Sequence, residues 1–134
     1  QDDQYRRLVF GLIEQHRLTG CVYFLGAVNW QTMPQVYRSA HISVIPTVYE
    51  EGTSLAALES MACGTATVST NVGGLADLPT YQCPPEATAL AHAMAECYHQ
   101  RQQIAAKQRS AVLENFNLER FTAAWLNVIA AATT

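Results

Sequence analysis

Short β-branched and apolar runs alternate with helical patterns along this chain, and that alternation leaves few folds open. Cys21-Val-Tyr-Phe-Leu25, His41-Ile-Ser-Val-Ile45 and Ala66-Thr-Val-Ser-Thr70 read as strands; Gly26 ends the first, Pro46 stops the second, and the third leads to Gly73-Gly74. Tyr5–Leu18 places Leu8, Val9, Leu12 and Ile13 on one stripe, the mark of an amphipathic helix. Thr32–Ser39 reads as a short helix with Pro34 in its first turn and Met33, Val36 and Tyr37 inward. Thr53 or Ser54 can cap a helix that runs to Cys63 and ends at Gly64. Residues 86–134 form a helical tail, read as Glu86–Gln100, Gln102–Glu114 and Leu118–Ala131. The pattern predicts an α/β fold, a Rossmann-like parallel sheet flanked by helices. Three strands are few for a sheet covered on both faces, since nearer five or six is usual. The expectation is therefore that strands lie upstream of Gln1, or that the open edge pairs with another copy.

A chain of 134 residues is one domain, long enough for a core and short for a two-domain enzyme. With 49% hydrophobic and 14% charged residues it is globular. A net charge of −3 offers no basic face for nucleic acid. Cys21, Cys63, Cys83 and Cys97 show no CxxC spacing and read as reduced thiols of a cytosolic protein. The four histidines do not cluster with them, so no structural zinc is expected. No run approaches the ~20 apolar residues of a spanning helix. The chain starts at Gln1 rather than Met, which suggests a processed or truncated product.

Ligands of open α/β sheets bind beyond the carboxyl ends of the strands. Here those places are Gly26–Asn29, Pro46–Ser54 and Thr70–Ala76. The Glu51–Leu55 segment joins a helix N-terminus, a glycine and two hydroxyls, which suits an anion. Glu50 and Glu51 would repel a bare phosphate, so they either complement the helix dipole or accept hydrogen bonds from sugar hydroxyls. Glu59 follows Glu51 by eight residues, ~12 Å along a helix at ~1.5 Å per residue. That reach matches a diphosphate with hydroxylated sugars on both sides, but a solvated glutamate has the same spacing. Gly73-Gly74, on the carboxyl side of a strand, reads as a turn able to nest a phosphate. No G-x-G-x-x-G follows a strand, which disfavours a dinucleotide dehydrogenase. Cys63 reads as a packed thiol and His41 as a hydrogen-bonded structural histidine. Phe121 and Trp125 read as docking residues of the last helix.

Taken together and in order, these pieces resemble a known family. Val22-Tyr-Phe-Leu-Gly26, Met33–Ser39, Ile42-Ser-Val-Ile-Pro-Thr47, Glu51-Gly52, Glu59-Ser-Met-Ala-Cys-Gly64 and Asn71-Val-Gly-Gly74 are similar to the C-terminal domain of retaining GT-B glycosyltransferases of family 4. The likeness covers about 55 residues, Val22–Asp77, and the tail more loosely. It implies the C-terminal half of a GT-B fold without its first strands, residues 1–134 being one truncated nucleotide-sugar-binding domain. Glu51 is the candidate catalytic residue and would contact the hydroxyls of the donor sugar, with Glu59 on the ribose. The backbone of Gly52, Thr53, Ser54 and Leu55 would face sugar and diphosphate, and the loop holding Gly26 and Val28 would lie near the base. The implied donor is a UDP- or GDP-linked hexose, used without a metal or other cofactor. The acceptor would be a glycan or a lipid-linked sugar, bound by an N-terminal domain absent here. The intact enzyme would work in the cytoplasm or at the inner face of the membrane, and this piece alone would be inactive. The sequence departs from the family at His41, where Asp is usual, and at Asp77, where Glu is usual. The family's diphosphate-neutralising Arg and Lys have no counterpart, and Leu78–Pro85 is short. The rival expectation is a non-catalytic Rossmann-like module that self-associates through its sheet edge and last helix.

Overall fold

The computed structural model describes residues 2–49 and 52–133. A three-stranded parallel sheet lies at its centre, in the order β1 (Ile42–Ile45), β2 (Ala66–Thr70), β3 (Tyr81–Cys83). Two helices precede it, α1 (Asp2–Gln15) and α2 (Met33–Ser39). Helix α3 (Leu55–Ala62) connects β1 to β2, and a 3-10 helix, Gly73–Asp77, connects β2 to β3. Helices α4 (Ala87–His99), α5 (Arg101–Asn115) and α6 (Leu118–Ala132) follow. The alternation of strand and helix has the outcome it predicts, a parallel sheet under helices.

Two apolar clusters sandwich the sheet. One joins Ala57 and Met61 of α3 to Leu75, Leu78 and Val112. The other joins Ala66 and Val68 of β2 to Cys83 and to Ala93 and Cys97 of α4. Helix α5 reaches both, with Val112 in the first and Ile104 and Ala105 against the second. Helix α3 ends where its sequence says it should, because Gly64 takes φ +82°, a left-handed conformation that side chains resist.

Strand β2 is buried along its whole length, yet three of its five residues carry hydroxyls. Each hydroxyl has a partner. Thr67 Oγ1 donates to Ser60 Oγ of α3 at 3.0 Å, and the Ser69 and Thr80 hydroxyls meet at 2.6 Å. The Thr70 hydroxyl donates to the Thr47 carbonyl. Leaving such a group unpaired costs about 1–3 kcal/mol, so these partners are part of the fold.

The backbone of β2 needs help as well. Its ladder with β3 begins at Val68 opposite Tyr81, leaving Thr67 one residue beyond the end. The buried side chain of Gln108 stands there instead. Its Oε1 accepts from the Thr67 N–H at 2.8 Å, and its Nε2 donates to the Thr67 carbonyl at 2.8 Å. One side-chain amide thus substitutes for a strand residue and fixes α5 to the sheet.

Five expectations change. Cys21–Leu25 is not a strand; it runs as exposed chain, with Tyr23 78% and Leu25 68% accessible. A strand needs a neighbour to bond, and this segment instead places Phe24 against Phe10 of α1, ring centres 5.1 Å apart. The third strand is β3, which Pro79, Pro84 and Pro85 disguise in the sequence. It is secured from the side, where Gln82 Nε2 donates to the Ala76 and Leu78 carbonyls, both at 2.9 Å. His41, expected as a hydrogen-bonded structural histidine, is exposed and lies edge-on to Tyr98 at 5.7 Å. The stripe of α1 is only half covered, Val9 and Ile13 being partly buried and Leu8 and Leu12 exposed. Phe121 and Trp125 of α6 remain exposed beside each other, so they do not dock into this core.

Gln108→Ala removes both bonds to Thr67 and opens space under α5. A loss of about 2–4 kcal/mol is expected in urea unfolding, close to the cost of a lost core side chain. A midpoint within experimental error of the parent would show that α5 does not depend on this amide.

Candidate functional site

The loops after β1 and after β2 meet at the carboxyl edge of the sheet, and their backbones make the site. After β1 the chain runs through Pro46–Tyr49; Glu50 and Glu51 lie outside the described residues, and the chain continues at Gly52. Gly52, Thr53 and Ser54 then lead into α3, with Ser54 in extended conformation at its N-cap. The Ser54 side chain is 3% exposed and makes no cap bond to the helix. Sequence reading gives this serine, or Thr53, a capping role; burial takes the Ser54 hydroxyl inward instead. The first-turn N–H groups of α3 are left without that side-chain acceptor, and they carry the positive end of the helix dipole. Leu55, the first helical residue, is 69% exposed.

The loop after β2 is pressed against this entrance. A Cβ placed on Gly74 would lie 2.6 Å from the Gly52 carbonyl oxygen and 3.1 Å from the Thr53 nitrogen. No side chain fits there, because the neighbour is rigid backbone. Gly73, at φ +50°, turns the chain so that this approach is possible. Thr70 ties the same two loops from below through its bond to Thr47. The structure therefore brings together Gly52 and Thr53 with Gly73 and Gly74, which the sequence places twenty or more residues away.

Glu59 lies one turn into α3, with its carboxylate exposed. The Tyr37 hydroxyl of α2 donates to Glu59 Oε2 at 3.3 Å. Sequence reading places Tyr37 among the inward residues of its helix, and no motif signals this contact. Its backbone is fixed from below, since the buried Thr65 donates its hydroxyl to the Tyr37 carbonyl at 2.7 Å. Burial pushes the Tyr37 phenol above its usual value, and the negative charge of Glu59 and the hydrogen bond to it add to the shift.

Gly26 and Val28 sit in the loop entering α2. Gly26 takes φ +67°, and Val28 is partly buried. The Asn29 carbonyl accepts from the Thr32 and Met33 N–H groups at 2.9 and 3.2 Å, which fixes the loop to the start of α2. This loop is thus held to the helix that carries Tyr37, whereas Gly52–Leu55 belong to the helix that carries Glu59. A cleft of about 690 Å³, within the usual range for ligand sites, opens beside Thr53, Leu55 and Leu58 and is closed opposite by Phe116, Leu118 and Phe121. Among the described residues no cluster of His, Cys, Asp and Glu could hold a metal ion. No helix there is long and apolar enough to cross a membrane.

A parallel sheet under helices, with glycine-backed backbone amides at its carboxyl edge and a carboxylate along α3, makes a Rossmann-like domain. Residues 3–100 match the family described as glycosyl transferases group 1, and the chain belongs to that family. It is 49% identical over 57 residues to an uncharacterised glycosyltransferase of Methanocaldococcus jannaschii, covering 42% of this chain and 14% of that protein. It is 42% identical over 64 residues to D-inositol 3-phosphate glycosyltransferase of Corynebacterium jeikeium, covering 48% of this chain and 15% of that one. Among solved structures, sucrose-phosphate synthase from Thermosynechococcus elongatus superposes with a TM-score of 0.81 at 29% identity, over 98% of this chain and 35% of that chain. Anabaena HepE, in complex with UDP, shares the fold with a TM-score of 0.86 at 19% identity, over 96% of this chain and 37% of that chain. The chain thus spans about a seventh of the first two relatives and about a third of the two structures.

Two outcomes follow from this geometry. Gly74→Ala forces a methyl into the Gly52 carbonyl and should cost about 1–3 kcal/mol, the range for overpacking. Gly52→Ala, with nothing within 4 Å of its Cβ, should cost less than about 1 kcal/mol, and urea unfolding of both compares them directly. The second concerns Tyr37. Its folded-state pKa is raised, so its contribution to stability is whole below the unfolded value of about 10 and is lost as pH rises above it. Tyr37→Phe should therefore flatten the fall of stability above pH ~10; an unchanged slope would remove Tyr37 from the alkaline transition.

Proposed function

We propose that this chain is the donor-binding part of a retaining, family 4-like glycosyltransferase that moves a hexose from a UDP- or GDP-linked sugar. The observation that carries the reading is the packing of Gly74 on Gly52 and Thr53, which presents backbone amides at the start of α3 to an anion. The diphosphate sits there, and the helix dipole offsets the charge that grows on it as the sugar departs. The backbone of Gly52–Leu55 faces the diphosphate and sugar. Glu59 accepts from the ribose hydroxyls, as an exposed ionised carboxylate can. Glu51 takes the donor-sugar hydroxyls, and Gly26 and Val28 lie toward the base. HepE was solved with UDP and starch synthase IV of Arabidopsis thaliana with ADP, which supports a nucleotide ligand on this fold.

In this reading no metal or other cofactor takes part, and the whole enzyme acts in the cytoplasm or at the inner face of the membrane. Its acceptor, a glycan or lipid-linked sugar, binds to an N-terminal domain, so the present chain alone transfers nothing. The exposed apolar residues of α6, Phe121 and Trp125 among them, favour docking onto another part of the protein or a second copy.

Calorimetric titration with UDP, GDP and their hexose conjugates tests the reading. One nucleotide should bind saturably, and Glu59→Ala should weaken it by about 1–3 kcal/mol, the range for a charged hydrogen bond. Binding unchanged by that substitution, or none at millimolar ligand, would count against the site.

A further inference from the structure

Resting on the reading of Glu59 as the ribose acceptor, we infer that Tyr37 is a positioning residue for that carboxylate and sets how strongly the site discriminates ribose from deoxyribose. A glutamate on an exposed helix face has free rotamers, and fixing one costs side-chain entropy. To hold two adjacent hydroxyls a carboxylate must present two acceptor positions in one orientation. Its oxygens offer about four lone-pair sites. Tyr37 occupies one, on Oε2, and leaves Oε1 and the outer side of Oε2 for a diol. At 3.3 Å the bond is long, so it selects an orientation without saturating the oxygen.

Tyr37 can do this because it is itself held. It lies on α2, partly buried, and its carbonyl takes the Thr65 hydroxyl at 2.7 Å. Thr65 is 3% exposed and lies between the end of α3 and the start of β2, so the anchor is part of the sheet framework. Helix α2 is therefore fixed to the framework at the residue whose hydroxyl reaches Glu59. Raised above its ordinary pKa, the phenol remains protonated and a donor throughout the neutral range. A purely structural bond between α2 and α3 would share this geometry but would not distinguish two ribose hydroxyls from one.

The experiment is a calorimetric cycle on the chain with UDP and 2′-deoxy-UDP, and with GDP and 2′-deoxy-GDP. The parent, Tyr37→Phe, Glu59→Ala and the double variant are compared, with urea midpoints measured for each. Tyr37→Phe should weaken the ribonucleotide by about three- to tenfold, the scale of one hydrogen bond, and leave the deoxy form nearly unchanged. The double variant should bind like Glu59→Ala alone, because Tyr37 acts through Glu59. If Tyr37→Phe weakens both forms equally, or neither, while Glu59→Ala abolishes discrimination, the inference is wrong and the ribose site stands. If Glu59→Ala leaves discrimination intact, or the parent binds no nucleotide, the reading of the site fails and the inference fails with it.

Discussion

The bidentate bond between Gln108 and the Thr67 peptide is the interaction on which the arrangement of this domain depends. Strand β2 is central and buried on both faces, so every polar group on it needs a protein partner. Strand β3 has only three residues and cannot supply them all. By standing where β3 runs out, Gln108 lets a short sheet hold a helix that touches both hydrophobic clusters. The same helix steadies α3, since Arg109 Nε donates to the Ala62 carbonyl at 3.0 Å. The position of α3, and so of Glu59, is thereby referred back to one amide on a different helix.

Much of this was legible in the chain. The β-branched runs at 42–45 and 66–70, and the glycine that ends the intervening helix, specify a parallel crossover by local chemistry alone. Helix boundaries in the tail fall within a residue or two of their expected places. What failed did so for a tertiary reason. Cys21–Leu25 has the composition of a strand, but composition cannot say whether a neighbouring strand is present to bond it. Tyr81–Cys83 has poor strand composition and is a strand because β2 and Gln82's bonds hold it.

The candidate site divides along the same line. The glycines and the hydroxyls before α3 announce a helix entrance, and the sequence marks Gly73-Gly74 as a turn. Neither says that the two segments touch, nor that Ser54 turns inward. Tyr37 is the sharper case: its spacing in α2 marks an inward residue, and it is partly buried. Its hydroxyl is the part that meets Glu59, and periodicity has no means of foreseeing that contact.

The wedge of Gly74 under Gly52 has a mechanical consequence. Two loops that share one contact of backbone on backbone cannot be tuned separately, since neither has a side chain with which to yield. Closing or opening the entrance to α3 would have to displace the turn after β2, and through the Thr70–Thr47 bond the strand ends too. The entrance to α3 is then as stiff as the sheet itself, a preformed backbone surface rather than one that closes around whatever meets it.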